Sequence, residues 1–411
     1  MRKIYTSIDI GTDEIKAVTI EEYNDKFNVL ATASIPTKGV KKGLIIDASL
    51  ITSSVKKVIK SLESKLGTKI EQVIAVVPSN NLEINIGMGE ISVDTHDAII
   101  DGDTIFNSLQ KSLKKHVSSD MEVVSVLPIE YKIDGEKKVK NPLGLEGSRL
   151  AVKSVIAMVP KKNVYSVVGI LENLGIEVVD IVISSIADYY AVKDEELDKD
   201  VIALIDIGKE KSVLSVFNKD ILVKEMITSI GGEDIDEVIR FNLKTDEKKS
   251  KEIKEEYGVA NRKYADGDEE YKIVNRLSQN MVINQYMLAE MIEYKLMEML
   301  KNFKNDLNSL TNREISYIIV TGAMTSMLGF DALLQDVYGR KGKVSSINII
   351  GIRDNKYSTS FGAIKYFVSK LNLREKEYTM FIDEKVEEML RARKKTGTGS
   401  ALGKIFGRIF D

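Results

Sequence analysis

One short pattern occurs twice in this chain and constrains its fold more than anything else in it. Tyr5-Thr6-Ser7-Ile8-Asp9-Ile10-Gly11 and Val201-Ile202-Ala203-Leu204-Ile205-Asp206-Ile207-Gly208 are each a β-rich run carrying one aspartate just before a glycine. A second β-rich run follows each copy, over residues 15–20 and 212–217. Strand, Asp-x-Gly turn, strand is a hairpin signal. Such a turn exposes backbone N–H groups, and a concavity of N–H groups binds anions. The carboxylate at the strand end suits Mg²⁺, which takes one or two carboxylates and keeps several waters. A single Asp-x-Gly is weak, because ordinary turns carry that pair. Two copies at equivalent places, with a third glycine turn at Thr321-Gly322-Ala323 after a strand over 315–320, predict two related α/β halves that clasp a triphosphate. Three ordinary turns are the plainer alternative.

The remaining pattern is compatible with that plan. Residues 27–35 and 73–78 read as strands, and 49–66 as an amphipathic helix capped by Asp47 or Ser49. Alternating strands and helices argue for a layered α/β domain. From about residue 83 the pattern changes to a small α+β insertion, with strands over 83–93, 122–134 and 150–158 and a helix over 103–115. A helix over 164–174, a strand over 178–183 and a helix over 185–192 follow, then the charged connector 193–200. Residues 240–305 read as helical and charged, with one long helix expected over 275–303.

The last eleven residues carry a different signal. At about 100° per residue, Leu402, Ile405, Phe406, Ile409 and Phe410 fall on one side of a helix and Lys404 and Arg408 on the other. Gly403 and Gly407 each cost roughly 1 kcal/mol in a helix interior, so this helix is marginal in water. It follows the tether Lys394-Lys395-Thr396-Gly397-Thr398-Gly399-Ser400. An apolar and basic helix on a leash suits an anionic membrane surface; a last helix docked on the core is the alternative.

Composition narrows the chemistry. No run approaches the roughly eighteen apolar residues of a membrane span, and the opening residues lack a signal peptide's apolar core, so a cytoplasmic protein is expected. There is no cysteine, and His96 and His116 are the only histidines, which leaves no thiol chemistry and argues against a histidine zinc site or a Ser-His-Asp triad. A net charge of −3 gives no reason to expect nucleic acid. Carboxylates, lysines, hydroxyls and glycine turns remain, and they favour phosphate and Mg²⁺ chemistry.

These residues resemble the actin-like ATPase fold, shared by actin, heat-shock chaperones and sugar kinases, and within it the FtsA family of bacterial division proteins. Asp9-Ile10-Gly11-Thr12 is similar to the family's first phosphate loop. The stretches 127–134 and 140–150, with Asn141-Pro142-Leu143-Gly144-Leu145, resemble its inserted subdomain, the most specific part of the match. Gly231-Gly232-Glu233-Asp234 resembles the pair that opens its upper helical subdomain, residues 250–258 its nucleoside-contacting helix, Val320-Thr321-Gly322-Ala323 its adenosine loop and residues 357–362 its closing connection.

The resemblance implies subdomain 1A over 1–82, 161–200 and 351–382, an inserted subdomain 1C over 83–160, and subdomain 2A over 201–239 and 306–350. It also implies subdomain 2B over 240–305, a linker over 383–400 and a membrane-targeting helix over 401–411. It implies ATP and Mg²⁺ as cofactors, with Asp9 and Asp206 as the catalytic pair holding the metal through water. Gly11, Thr12, Asp13, Lys16, Gly208, Lys209, Gly231, Gly232, Glu233, Lys254, Gly322, Ala323 and Met324 would bind the nucleotide. The implied partners are the FtsZ C-terminal tail at Lys295, further copies of the chain in filaments, anionic inner-leaflet lipids and other divisome proteins. The implied place is the cytoplasmic face of the cell membrane at the septum.

Some positions depart from the family. Gly208 is followed by Lys209-Glu210-Lys211 where further glycines are usual, Lys251 stands where a ribose-contacting glutamate is usual, and Ala323 replaces a glycine. ATP binding with slow or absent hydrolysis is the expectation. An actin-fold small-molecule kinase and a pilus-assembly relative are the competing possibilities.

Overall fold

The computed structural model describes residues 2–94, 97–113, 118–194, 196–347, 349, 351–352 and 354–381. The membrane-facing residues expected at Leu402, Lys404, Ile405, Phe406, Arg408, Ile409 and Phe410 lie outside the described residues, as do both histidines.

The chain opens with β1 (Lys3–Ile10), β2 (Glu14–Tyr23) and β3 (Lys26–Pro36), then the short ribbon β4 (Val40–Lys41) and β5 (Leu44–Ile45). Helix α1 (Ala48–Leu66) follows, with Asp47 at its N-cap accepting from the Ser49 and Leu50 amides and Gly67 ending it in the left-handed region. It buries Ile51, Val55, Val58, Ile59, Leu62 and Leu66, the i, i+4, i+7 stripe of a core-facing helix. Next comes β6 (Gln72–Val77). The insertion consists of β7 (Glu83–Ser92), α2 (Gly102–Ser112), β8 (Met121–Ile133), β9 (Lys137–Val139) and β10 (Arg149–Pro160). It forms a four-stranded sheet, β7-β10-β8-β9, in which Glu83 pairs with Met158. Ile100, Ile105, Tyr131, Ile133 and Leu150 give it a core of its own. Helix α3 (Lys161–Glu172), β11 (Glu177–Ile183) and α4 (Ser184–Val192) return the chain to the first sheet.

The second half repeats the plan with β12 (Val201–Ile207), β13 (Ser212–Asn218) and β14 (Ile221–Thr228). Helices α5 (Gly232–Leu243) and α6 (Glu247–Tyr257), the ribbon β15 (Glu270–Val274) and β16 (Asn280–Asn284), and α7 (Gln285–Leu310) follow. The half closes with β17 (Tyr317–Thr321), α8 (Phe330–Tyr338) and β18 (Gly342–Val344), and α9 (Ser358–Leu373) crosses back to the first. The sheet orders are β3-β2-β1-β6-β11 and β14-β13-β12-β17-β18. In each, three strands run antiparallel and the two beyond pair in parallel. The sequence repeat is thus a repeat of topology.

Helices α4 and α9 pack on each other and on the first sheet, and α4 also meets β12 of the second. Ile202, Leu204, Phe217 and Ile319 of the second sheet join the core of the first half, with Phe217 stacked on Tyr189 of α4 at 4.3 Å. The opposite face of the second sheet, with Ile205, Leu214 and Val320, packs on α5, α7 and α8.

The expected helix over 275–303 is corrected at its start. Residues 275–284 form a turn and a strand, and α7 begins at Gln285, where the Asn284 side chain caps the Met287 amide. The Asn275 side chain accepts from the Leu277 and Gln279 amides, an Asx turn that competes with helix. Tyr271, Ile273 and Ile283 then bury the inner face of the ribbon, where tertiary packing outweighs helical periodicity.

Candidate functional site

Each repeated hairpin ends in the same turn. The Gly11 amide donates to the Glu14 carbonyl at 3.1 Å, and the Gly208 amide to the Lys211 carbonyl at 3.0 Å. A Cβ at either glycine would lie within 3 Å of that acceptor, which fixes glycine in both. The two turns face one cavity of about 400 Å³ between the halves. Its third edge is the turn at Gly322, at φ +105°, where a Cβ would lie 2.4 Å from the Ile207 carbonyl.

At the floor, Asp9 and Lys16 are cross-strand partners, with Lys16 Nζ 3.0 Å from Asp9 Oδ2. Burial opposes the Lys16 charge, but Asp9 and then Asp206 outweigh it and hold the ammonium above its ordinary value. Burial pushes Asp206 up, against the pull of Lys16. Asp188 on α4 is fully buried nearby and is pushed well up by burial and then by Asp206; Thr359 donates to it at 2.7 Å.

The wall formed by α5 and α6 is tied to the second turn. The Gly232 and Glu233 amides donate to the Gly208 and Lys209 carbonyls at 2.9 and 2.8 Å. Lys254 reaches Asp236 Oδ1 at 2.7 Å and donates to the Gly232 carbonyl, both side chains being buried. Across the mouth, Asp13 pairs with Lys251 at 2.5 Å and with Lys209 at 4.0 Å. The Lys42 amide donates to Glu210 Oε2 at 2.6 Å. Lys211 crosses to Asn80 Oδ1 at 2.8 Å, and burial holds its ammonium below its ordinary value although Glu225, Asp206 and Asp9 draw it up.

The cavity therefore brings together Asp9, Gly11, Thr12, Asp13, Lys16, Asp206, Gly208, Lys209, Gly232, Lys254, Gly322, Ala323 and Met324. Gly231 and Glu233 stand behind the lining and support the second turn. The Gly231 amide donates to Asp234 Oδ2 at 2.9 Å, and a Cβ on Gly231 would lie 2.4 Å from the Lys209 carbonyl. Lys295 is elsewhere, on α7, 3.1 Å from Glu298 and 3.7 Å from Asp234.

Sequence reasoning missed Asn80, Asp188 and Asp236. A lone charge inside the apolar run Ile186-Ala187-Asp188-Tyr189 was the available signal for Asp188; Asn80 and Asp236 have only long-range meaning.

Two glycine turns, an ammonium at the floor and further lysines around the walls fit a polyphosphate. Among the described residues no group of three or more histidine, cysteine or acidic side chains is arranged to hold a metal. The two floor carboxylates, Asp9 and Asp206, would suit Mg²⁺, which takes only one or two carboxylates.

A family model described as the SHS2 domain inserted in FtsA matches residues 79–158, and the model of the cell division protein FtsA matches residues 203–362. The chain is 27% identical over 366 residues to the cell division protein FtsA of Bacillus subtilis (strain 168), covering 89% of this chain and 83% of that protein. In fold it is similar to the PilM-PilN type IV pilus biogenesis complex, at TM-score 0.58 and 14% identity, covering 90% of this chain and 98% of that one. It is also similar to MreB5 of Spiroplasma citri bound to ADP, at TM-score 0.53 and 12% identity, covering 90% and 98% of the two chains. The fold is actin-like. Among the described residues no helix is long and apolar enough to cross a membrane.

Proposed function

The chain belongs to the FtsA family of cell-division proteins, and from that premise we propose that it is an ATP-binding, self-associating adaptor that anchors FtsZ filaments to the cytoplasmic face of the membrane at the septum. The single observation that carries the nucleotide part is the cavity between two equivalent glycine turns, floored by Asp9, Lys16 and Asp206. The ADP bound to the similar MreB5 supports it.

In this reading the turns at Gly11, Thr12 and Gly208 face the phosphates, and Gly322, Ala323 and Met324 face the adenosine. Asp9 and Asp206 would hold Mg²⁺, which would offset phosphate charge. Lys254, locked to Asp236, shapes the nucleoside wall. Side chains at 209–211 stand where the family's glycines would wrap the terminal phosphate, so hydrolysis is slow. Nucleotide then serves assembly: head-to-tail contacts between copies are heterologous and make open filaments.

The FtsZ tail and other divisome proteins are the proposed protein partners. The α7 face around Lys295 is the proposed place for the tail: Tyr294 is exposed beside it, and Lys295 would exchange Glu298 and Asp234 for a carboxylate of the tail. Residues 401–411 supply a weak lipid anchor, and many linked copies bind far more tightly than one.

Flotation with anionic lipid vesicles tests the whole proposal. The full chain should carry FtsZ to the vesicles, more strongly with ATP, and a chain ending at Ser400 should not. Equal flotation of the two chains would overturn the anchor, and FtsZ left in the soluble fraction would overturn the partner.

A further inference from the structure

Six lysines line the cavity, and five are already neutralised. Lys16, Lys209, Lys251, Lys254 and Lys356 each have a carboxylate within 4.0 Å. Lys211 is the exception among the described residues: it makes no ion pair within that distance, and its acceptor, Asn80, is an uncharged amide. Its position is built. The turn that closes on the Lys211 carbonyl fixes its backbone. Gly43, at φ +77°, leaves room for the ammonium, since a Cβ there would lie 2.6 Å from Lys211 Nζ. Asn80 is held in turn by Asn163, which donates to its carbonyl at 2.8 Å. Glu225, Asp206 and Asp9 act on Lys211 only from beyond 4.0 Å, so its charge is partly offset and not paired, and a buried charge that lacks a paired partner is costly. In a cavity open to solvent, an anionic ligand removes that cost.

We propose that Lys211 is a polyphosphate-binding residue, supplying as a side-chain cation what a run of glycine amides supplies in a conventional phosphate turn. This rests on reading the cavity as a nucleotide site. In the cleft as it stands the ammonium rests on Asn80; with polyphosphate bound it donates to phosphate oxygen as a compact point charge. Because Lys211 belongs to the second half and Asn80 to the first, the same side chain reports phosphate to both. Lys209 does not share the role, since Asp13 and Glu247 already flank it at 4.0 Å.

Affinities for ATP, inorganic tripolyphosphate and adenosine test this with the full chain and with Lys211→Met, checked for fold by circular dichroism. A hydrogen bond to a charged group corresponds to roughly ten- to a hundredfold in affinity. Lys211→Met should weaken ATP and tripolyphosphate by about that factor and leave adenosine unchanged, while Lys211→Arg stays within about threefold of the parent. If Lys211→Met fails to fold, Lys211→Gln, which keeps a donor for Asn80 but no charge, carries the same expectation. ATP and tripolyphosphate binding equal to the parent overturns the role of Lys211 and leaves the nucleotide reading standing. A parent that takes tripolyphosphate but not ATP, with Lys211→Met losing it, keeps Lys211 and overturns the nucleotide reading. A parent that binds neither overturns both.

Discussion

Asp13 in the first turn and Lys251 on α6, 238 positions apart in the chain, meet at 2.5 Å across the mouth of the cleft. The pair joins the two halves across the opening of the cavity. It is about one-third exposed on each side, so it is worth only about 0.2–1 kcal/mol. Lys251→Ala should speed nucleotide release by about 1.5- to 5-fold at low salt. Raised salt should accelerate the parent more than the variant, because an exposed pair is screened. Stopped-flow displacement of a fluorescent ATP analogue reads both, and equal rates at low salt would remove the latch.

Asp188 links pH to stability. Its folded pKa is raised, by burial first and then by Asp206, with Thr359 and Lys16 opposing and Asp9 adding to the rise. A carboxyl raised on folding holds its proton more tightly in the folded state. Stability therefore falls as pH climbs from the unfolded value near 3.8 toward the folded one. Asp188→Asn abolishes that titration while keeping the shape. It should melt at least as high as the parent at pH 8, with the difference shrinking toward pH 4. A difference that grows on acidification would contradict this assignment.

Gly362 on α9 meets α4 where no side chain fits, since a Cβ would lie 1.7 Å from the Ala187 carbonyl. Gly362→Ala must push apart two helices that lie under the cleft. Overpacking of this kind costs about 1–3 kcal/mol, and a lowered urea midpoint should register it. An unchanged midpoint would mean the crossing is soft.

Phe217 and Tyr189, both buried, stack at 4.3 Å between the halves. Phe217→Ala should cost about 3–5 kcal/mol. Because the ring belongs to the core shared by both sheets, probes placed in either half should report the loss together. Loss confined to the second half would show that the two fold independently.

The repeat was legible because it is written locally. Asp9-Ile10-Gly11 and Asp206-Ile207-Gly208 each need a strand, a carboxylate and a glycine within a few positions, and the two sheets follow that lead. Asp47 was legible as a cap for the same reason. The ribbon over 270–284 was hidden because Tyr271 and Ile283 are buried in the core of the second half, which the local periodicity does not report. The contacts that shape the cavity were hidden for a related reason. Asn80 with Lys211, Asp236 with Lys254 and Asp13 with Lys251 are joined by folding, and no spacing along the chain announces them.

The insertion leaves and rejoins its parent side by side, with Glu83 paired to Met158. A module whose two ends are neighbours can be lifted out and replaced by another of any internal length without re-registering the strands on either side. The fold behaves at that point like a socket. The two halves that line the cleft keep their register, while the module plugged into the socket can be exchanged.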